Sequence, residues 1–357
     1  MKLKVLHIIN SLLPGGAETL LINSLSTHGL QDYTDNILVY FKGTSTLEFI
    51  IDKNVKVYCL GYKGIFSLPS CLYRLRSIII QHKIEIVHSH LNPAGFYTNL
   101  ICNVPQVHTI HTVFSMDTET TLMKRLFEKH FYFIKKNTNV ILLTDYARED
   151  FLNSVAFQGN TFVLNNFIPD KFFKSESKKY LTGNQSLKLI AVGRLNILKN
   201  FIYLIECFKY LKNFNIQLDI YGNGNIQEYE KLIRILNVKV RMMGHNEDMS
   251  LILDQYDLFI MPSKFEGFGL ALYEAMASGL PVMLSNIKPF SSIVKDNAIY
   301  FELNDAKSTA EIIRKVFVNE IDIIDLAKKS RAFVEMIARK EKYIKKLLSI
   351  YKNVIQN

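Results

Sequence analysis

Short β-like runs alternate with helical stretches along this chain, and that alternation constrains the fold more than any other feature of the sequence. In the first half, the runs cover residues 3–9, 36–40, 56–60, 85–90, 106–111, 139–144 and 161–166. The alternation restarts in the second half, where strands are predicted before Gly193, within 216–225, at 240–245 and before Pro262. Strands separated by helices form open parallel sheets, which bind ligands at the carboxyl ends of their strands. The predicted fold class is therefore α/β.

The length of the chain and one polar segment together predict two domains. A chain of 357 residues can fill two cores of ordinary size. Residues 171–186 are polar, charged and rich in turn-forming residues, which is typical of a linker. We therefore expect a first domain at 1–170, a linker at 171–186, a second domain at 187–330 and a basic C-terminal helix at 331–357.

The cysteines and the apolar runs indicate a compartment. Four cysteines are scattered without a CxxC pair, which favours a reducing environment. The apolar stretch near the start is too short for a signal peptide, and no run reaches the roughly 18 apolar residues of a membrane span. The expected location is the cytoplasm, with a peripheral position on the inner face of the plasma membrane as an alternative.

The net charge of +10 is unevenly placed, and it leaves two interpretations open. Between Lys328 and Lys352 there are nine Lys and Arg residues against two Glu. Such a run is typical of a solvated helix face, but it also favours attraction to an anionic membrane. The segment 120–137 combines an apolar stripe with basic residues, and it can be either an interfacial helix or a helix packed on the sheet. No nucleic-acid recognition motif is present, so no nucleic-acid partner is expected.

The stretch from Phe259 to Leu284 carries most of the functional signal. A helix is predicted from about Gly269 to Ser278, with Gly279 in the position that favours a left-handed cap. This helix is apolar or small on every side, except that Glu274 introduces a carboxylate. A buried carboxylate needs a partner, which is either a core Arg or Lys or a ligand. Glu266 lies eight residues earlier, in a glycine-containing loop just before the helix, where unpaired amides attract anionic or sugar oxygens.

The E-x7-E pair, the EGFGL loop, the EAMASG helix and the following PV dipeptide together resemble glycosyltransferase family 4 (glycosyl transferases group 1), which has the GT-B fold. The resemblance implies two Rossmann-like domains facing a cleft, with a C-terminal helix that crosses back to the first domain. It also implies that Glu274 holds the ribose of a nucleotide. The expected ligands of the donor sugar are Glu266, Gly267, Phe268, Gly269 and Leu270.

Four further site residues follow from the same resemblance. Arg194 and Lys199 match the family's Arg and Lys that grip the nucleotide diphosphate, and fixed cations there would stabilise the charge on the leaving group. His111 matches a strand-end histidine that points at the donor sugar, and it is expected to act as a hydrogen-bonding or acid/base group, with a structural role at the strand end as the alternative. Gly16 lies in a GGAE turn that is expected near the donor phosphate and the acceptor. His88 and His90, which share one strand face, leave a zinc site open as a weaker alternative.

The resemblance implies a retaining glycosyltransferase that needs neither metal nor cofactor. It would move a sugar from a nucleotide-diphosphate sugar to an acceptor hydroxyl, and the basic segments favour a lipid-linked glycan of bacterial capsule or O-antigen assembly as the acceptor. A GT-B relative with inverting or phosphorylase-like chemistry is one alternative. A nucleotide-sugar-binding or scaffold subunit without turnover is another.

Overall fold

The computed structural model describes residues 2–13, 15–26, 29–43, 47, 51–116, 138–174 and 186–356. These residues form two compact units. Unit 1 comprises Met1–Phe167 together with Lys340–Asn357, and unit 2 comprises Ile168–Arg339. None of the helices within the described ranges has both the length and the apolar character of a membrane-spanning segment.

Unit 1 contains one parallel sheet in its described part. Its strands are β1 Leu3–Ile9, β2 Thr34–Tyr40, β3 Lys56–Cys59, β4 Ile86–His90, β5 Gln106–Ile110, β6 Asn139–Leu142 and β7 Asn160–Val163. They lie in the order β3-β2-β1-β4-β5-β6-β7, and every pair is parallel. Each run predicted in the first half of the sequence is therefore a strand, because these runs are rich in buried β-branched and aliphatic side chains.

Helices cover both faces of this sheet. Those described are α1 Gly16–Ser24, α2 Leu68–Gln81, α3 Ala94–Ile101, α4 Asp145–Ser154 and, from the end of the chain, a helix at Lys340–Gln356. Leu20 and Leu21 of α1 share one core cluster with Leu347 and Tyr351 of this last helix. Residues of α2, such as Leu75, belong to a separate core cluster. The segment 120–137, for which a basic amphipathic helix was predicted, lies outside the described residues.

Unit 2 repeats this architecture. Its strands are β8 Leu187–Val192, β9 Ile216–Tyr221, β10 Val240–Gly244, β11 Leu258–Met261, β12 Val282–Ser285 and β13 Ile299–Phe301, in the order β10-β9-β8-β11-β12-β13. Its helices are α5 Phe201–Cys207, α6 Gln227–Leu236, α7 Leu270–Ala277, α8 Lys288–Val294, α9 Ala306–Phe317 and α10 Ile323–Ile337; the helix at Lys340–Gln356 is then α11. The α/β class predicted from the sequence is confirmed.

The structure differs from the predicted domain limits at two places. Residues 168–170 were assigned to the first domain and residues 171–174 to a linker, but all of them belong to unit 2, where Lys171 and Lys174 form ion pairs with Asp248 and Asp254. The single terminal helix predicted from 331 is divided between α10 and α11. The break follows Ala338, whose carbonyl oxygen accepts a hydrogen bond from the backbone N–H of Ile168 at 2.8 Å.

Strand order determines where a ligand can bind in unit 2. Strand β8 lies between β9 and β11, so the chain leaves β8 on one side and returns on the other. In open α/β sheets, ligands bind at such a switch point, beyond the carboxyl ends of the strands. The loop with Arg194 and Lys199 follows β8, and the loop with Glu266 follows β11, so both predicted loops begin at this point.

Candidate active site

The loop from Pro262 to Gly269 connects buried strand β11 to buried helix α7. Gly269 has φ = 82°, a left-handed conformation that glycine adopts without the strain of a side chain. Gly279 has φ = 81° just beyond the other end of α7, where the amides of Gly279 and Leu280 bond back to the carbonyl oxygens of Met276 and Ala275. The glycine cap predicted for this helix is therefore confirmed.

Glu266 is held inside this loop by two partners. The side chain of Glu266 forms an ion pair with the ammonium of Lys199, and its Oε1 also accepts a hydrogen bond from Ser263 Oγ at 2.9 Å. Glu266 is only 8% exposed. Ser263 is held in turn by Ser285, whose Oγ donates to the carbonyl oxygen of Ser263 at 2.6 Å. The structure thus brings together two site residues that were predicted separately.

Lys199 reaches this position because the loop after β8 is tightly packed. A Cβ atom on Gly193 would lie 3.1 Å from the Cδ and Cε atoms of Lys199, so the lysine stem passes over the glycine. A Cβ atom on Gly222 would lie 1.7 Å from the carbonyl oxygen of Gly193, which excludes any side chain there. Asn196 Oδ1 accepts a hydrogen bond from the backbone N–H of Lys199 at 3.0 Å and fixes the turn into α5.

Arg194 begins the same loop and is exposed. Its backbone is fixed, because its carbonyl oxygen accepts from the N–H of Asn196 at 2.9 Å. Within the described ranges, its guanidinium forms no hydrogen bond or ion pair. Arg194 is therefore a cation on an ordered loop whose side chain is available to a ligand.

Four backbone N–H groups are also available at the start of α7. They belong to Gly267, Phe268, Gly269 and Leu270, and none donates a hydrogen bond to a residue that the structure describes. Unpaired amides at a helix N-terminus carry partial positive charge and bind phosphate or sugar oxygens. Phe268 anchors the loop, since its ring is buried and stacks on Tyr273 with centroids 4.3 Å apart.

Glu274 lies one turn into α7 with no hydrogen-bond partner among the described residues. The residue is half-buried, so part of its surface is accessible. Burial raises the pKa of Glu274 to about 7, Lys171 opposes this effect, and Asp248 adds to it. The pairing with a core Arg or Lys, left open by the sequence, is absent from the described ranges. The carboxyl group is thus poised to accept hydrogen bonds from a ligand.

Unit 1 holds a line of three hydrogen-bonded histidines. His7 in β1, His90 at the end of β4 and His111 after β5 are joined by contacts of 3.4 Å, from His7 Nδ1 to His90 Nε2 and from His90 Nδ1 to His111 Nε2. His7 Nε2 lies 3.3 Å from Asn36 Oδ1. Of these, His111 was predicted to be a site residue.

Asn36 determines the tautomer of each histidine in this line. Its amide nitrogen donates to the carbonyl oxygen of Thr34 at 3.2 Å, so its Oδ1 faces His7 as an acceptor. His7 Nε2 must then carry a hydrogen, which leaves Nδ1 to accept from His90 Nε2. By the same reasoning, His90 Nδ1 accepts from His111 Nε2. His111 therefore presents Nδ1 as an acceptor.

The histidines of this region are neutral. Burial lowers the pKa of His111 to about 3 and that of His7 to about 4, and it lowers the pKa of His90 far below the usual value. A residue with so low a pKa is a poor general acid or base near neutral pH. His111 is better suited to hydrogen bonding than to proton transfer.

The structure adds His7 to the two histidines of the zinc alternative, His88 and His90, but the ring nitrogens of His88 are already hydrogen-bonded. Ring nitrogens of His7, His88 and His90 lie within 4.8 Å of one another. However, His88 Nδ1 lies 2.6 Å from Tyr351 Oη and its Nε2 lies 2.7 Å from Thr109 Oγ1, so both nitrogens already have partners. His108 is hydrogen-bonded to Ser89 Oγ at 2.9 Å. The donors therefore fit a neutral hydrogen-bonded cluster better than a metal site.

Gly16 is the first residue of α1, in the segment that follows β1, and it is exposed.

Sequence reasoning missed Ser263, Ser285, His7 and Asn36. The only signal for His7 and Asn36 was the presence of a polar residue within an apolar strand, because their contacts depend on strand order.

Each half of the chain matches a model of a known protein family. Residues 172–350 match the family model described as Glycosyl transferases group 1, and residues 15–172 match Glycosyltransferase Family 4. The chain is 26% identical over 344 residues to the UDP-Gal:alpha-D-GlcNAc-diphosphoundecaprenol alpha-1,3-galactosyltransferase of Escherichia coli, with 88% of each protein covered. It is 25% identical over 351 residues to the capsular polysaccharide biosynthesis glycosyltransferase CapH of Staphylococcus aureus, with 93% of each covered.

A structural neighbour agrees with the fold. The crystal structure of HepE from Anabaena, in complex with UDP and glucose, matches with a TM-score of 0.80 and 16% identity, covering 98% of this chain and 100% of that one. At this identity the likeness concerns the fold alone. The predicted family and the GT-B type of fold are both confirmed.

Proposed function

The chain belongs to the glycosyl transferases group 1 family, and we propose that it moves a sugar from a nucleotide-diphosphate sugar to an acceptor hydroxyl with retention of anomeric configuration. The observation that carries this proposal is the arrangement at the switch point of unit 2. There the Lys199–Glu266 pair and the exposed Arg194 lie in two loops that leave neighbouring strands. The four amides without a partner among the described residues lie where the second loop enters α7, and the carboxyl group of Glu274, which also has no such partner, lies one turn into this helix.

The nucleotide is held by Glu274 and the two cations. The carboxylate of Glu274 accepts hydrogen bonds from the ribose hydroxyls, which supply the donors that its environment lacks. Arg194 binds the diphosphate. Lys199 lies in the same loop after β8 and binds the diphosphate together with Arg194. Arg and Lys differ here, because the Arg fork binds phosphate oxygens in pairs whereas Lys acts as a point charge.

The donor sugar is held by Glu266 and the loop from Gly267 to Leu270. The backbone N–H groups donate hydrogen bonds to sugar or phosphate oxygens, and the Glu266 carboxylate accepts hydrogen bonds from sugar hydroxyls. In unit 1, Nδ1 of His111 accepts a hydrogen bond from a sugar hydroxyl. Gly16 is proposed to line the donor phosphate and acceptor region, since no side chain at this position would obstruct a ligand.

The transfer step breaks the bond between the anomeric carbon and the diphosphate oxygen. The acceptor oxygen forms its bond to the anomeric carbon on the same face, and the acceptor proton passes to the departing phosphate. Negative charge grows on the diphosphate during this step, and preorganised cations and amides stabilise it most strongly at that point. Because these groups supply the positive charge, we propose that transfer needs no metal ion.

The relatives suggest the substrates. The Escherichia coli protein is named as a transferase from UDP-Gal to a diphosphoundecaprenol-linked sugar, and its named product has an alpha linkage. The Staphylococcus aureus protein is named for capsular polysaccharide biosynthesis. We propose a UDP-sugar as the donor and a lipid-linked glycan of surface polysaccharide assembly as the acceptor. The enzyme would then act at the cytoplasmic face of the membrane.

The test is a transfer assay with UDP-hexoses and a synthetic sugar-diphosphate lipid, in buffer containing EDTA. A product whose new linkage has the anomeric configuration of the donor, as determined by NMR, supports the proposal. An inverted linkage would contradict retention. Tight donor binding with neither transfer nor hydrolysis would favour the alternative of a non-catalytic nucleotide-sugar-binding subunit.

A further inference from the structure

The outer face of α2 in unit 1 carries a stripe of exposed apolar side chains. Phe66 is 98% exposed, Tyr73 is 77% exposed and Ile80 is 66% exposed. These residues recur every seven positions from the turn Ile65–Ser67 into α2, so they lie on one side of the helix over about 20 Å. The opposite side is buried through Cys71, Leu75, Ile78 and Ile79. Helix α2 therefore has apolar residues on two sides, and only the side with Cys71 and Leu75 is buried in the protein core.

The turn that presents Phe66 is held in place. Ser67 Oγ donates to the carbonyl oxygen of Gly64 at 2.8 Å and accepts from the backbone N–H of Lys63 at 2.9 Å. Arg74 ties the preceding loop to α2, because its guanidinium donates to the carbonyl oxygens of Leu60 and Cys59 at 2.7 and 3.1 Å. The exposure of Phe66 is thus built into an ordered turn.

The charged residues of the segment that carries this stripe all have one sign. From residue 56 to residue 83 the sequence contains no Asp or Glu, and its basic residues are Lys56, Lys63, Arg74, Arg76 and Lys83. Isolated exposed apolar residues are common and need no explanation. A row of exposed apolar side chains on a segment whose charged residues are all cations is instead typical of a helix that lies in the interface of an anionic membrane.

The basic C-terminal helix lacks this combination. In α11 the lysines 342, 345, 346 and 352 are exposed, but the apolar side is already buried in the core of unit 1. That core includes Leu347, Ile350 and Tyr351. The C-terminal helix can therefore attract a membrane electrostatically, but it has no apolar face left to insert.

We propose that the surface formed by Lys63, Ile65, Phe66, Tyr73, Arg76 and Ile80, here named the Phe66 surface, docks on an anionic lipid membrane. The apolar side chains enter the boundary between headgroups and acyl chains, and the cations bind lipid phosphates. This inference goes beyond the proposed function, since it does not depend on sugar transfer.

The chain contains no tryptophan, which allows a direct test. Phe66→Trp introduces a single tryptophan at the centre of the Phe66 surface, and its emission can be excited separately from that of the tyrosines. With phosphatidylglycerol-containing vesicles, its emission should shift to the blue, and lipids brominated along their chains should quench it. The matched control is Ile235→Trp on α6, where the native side chain is 67% exposed and Glu228 and Glu230 lie on the same helix. This control should show neither effect.

Vesicle co-sedimentation separates the contributions. Phe66→Ser should weaken binding to phosphatidylglycerol vesicles about tenfold or more, because the variant loses the apolar area that the Phe side chain would bury in the membrane. Arg76→Gln should weaken it about fivefold, and added salt should remove that difference. Ile235→Ser should leave binding unchanged. Thermal unfolding of each variant verifies that it is folded.

Three results would overturn the proposal. The first is an unshifted emission of Phe66→Trp with anionic vesicles. The second is an equal effect of Phe66→Ser and Ile235→Ser on co-sedimentation. The third is a dimer in lipid-free solution that Phe66→Ser dissociates, since the surface would then bind a second copy of the chain.

Discussion

The ammonium group of Lys199 and the carboxylate of Glu266 form an ion pair between residues 67 positions apart in the sequence. The pair joins the loop after β8 to the loop after β11. Both groups are largely buried, so each needs the other while no ligand is present. A diphosphate sugar would offer new partners to both, phosphate oxygens to Lys199 and hydroxyl groups to Glu266.

Replacing Lys199 should reduce transfer strongly. Lys199→Ala removes a cation that stabilises the leaving diphosphate, so we expect kcat to fall by about two to three orders of magnitude. Lys264→Ala is the matched control, because Lys264 lies exposed in the Glu266 loop and, among the described residues, only its backbone N–H forms a hydrogen bond, to the carbonyl oxygen of Leu198. Equal losses in the two variants, measured as initial rates, would contradict the role given to Lys199.

The two glutamates should affect different steps. Glu274→Ala should weaken the binding of free nucleoside diphosphate, because it removes the ribose acceptor. Glu266→Ala should reduce transfer far more than it weakens nucleotide binding, because its proposed contacts are with the sugar. Calorimetry with UDP and rate measurements on both variants test this division. Similar effects of both variants on both quantities would refute it.

Glu274 should make the unliganded protein less stable as the pH rises. Its pKa is raised from 4.5 to about 7, so the folded state binds more protons than the unfolded chain in that window. The free energy of unfolding therefore falls with increasing pH across it. Glu274→Gln should stabilise the protein at about pH 8, by up to about 3 kcal/mol, and have little effect near the lower end of the window.

Denaturant unfolding at several pH values measures this effect. Glu228→Gln, an exposed change on α6, serves as the control for loss of a carboxylate. A stability difference between Glu274→Gln and the native chain that does not change with pH would contradict the raised pKa. The expected gain also fits a binding group retained at a cost in stability.

The histidine line should remain neutral through the physiological range. The pKa values of about 4 for His7 and about 3 for His111 predict that neither titrates between about pH 5 and 8, as followed by NMR of the imidazole carbons. Asn36→Asp places a carboxylate beside His7 Nε2 and should raise the pKa of His7. Titration of His7 or His111 near the usual histidine value in the native chain would be the contrary result.

The sequence predicted the elements better than it predicted the contacts. The strands of unit 1 and the glycine cap of α7 were predictable, because periodic apolar runs and a left-handed glycine are local signals. Strand β13, Ile299–Phe301, was not assigned, because three residues give too short a pattern. The division between α10 and α11 was also missed, since the backbone bond from Ile168 to Ala338 joins distant parts of the chain.

The candidate site shows the same limit. Glu266, Lys199 and Glu274 were found from their sequence context, but the pairing of Lys199 with Glu266 depends on β8 and β11 being neighbours. Asn36 was invisible for the same reason, because it meets His7 only through the parallel pairing of β1 and β2. Long-range contacts of this kind follow from strand order, which local patterns do not encode.

A thermal-shift measurement of the purified protein with UDP, GDP, ADP and CMP, in buffer containing EDTA, tests whether unit 2 binds a nucleotide without metal. We expect a selective increase in Tm with UDP that is reduced in Arg194→Ala and lost in Glu274→Ala. No increase with any of these nucleotides, or an increase that both variants retain in full, would contradict a metal-independent nucleotide site built from these residues.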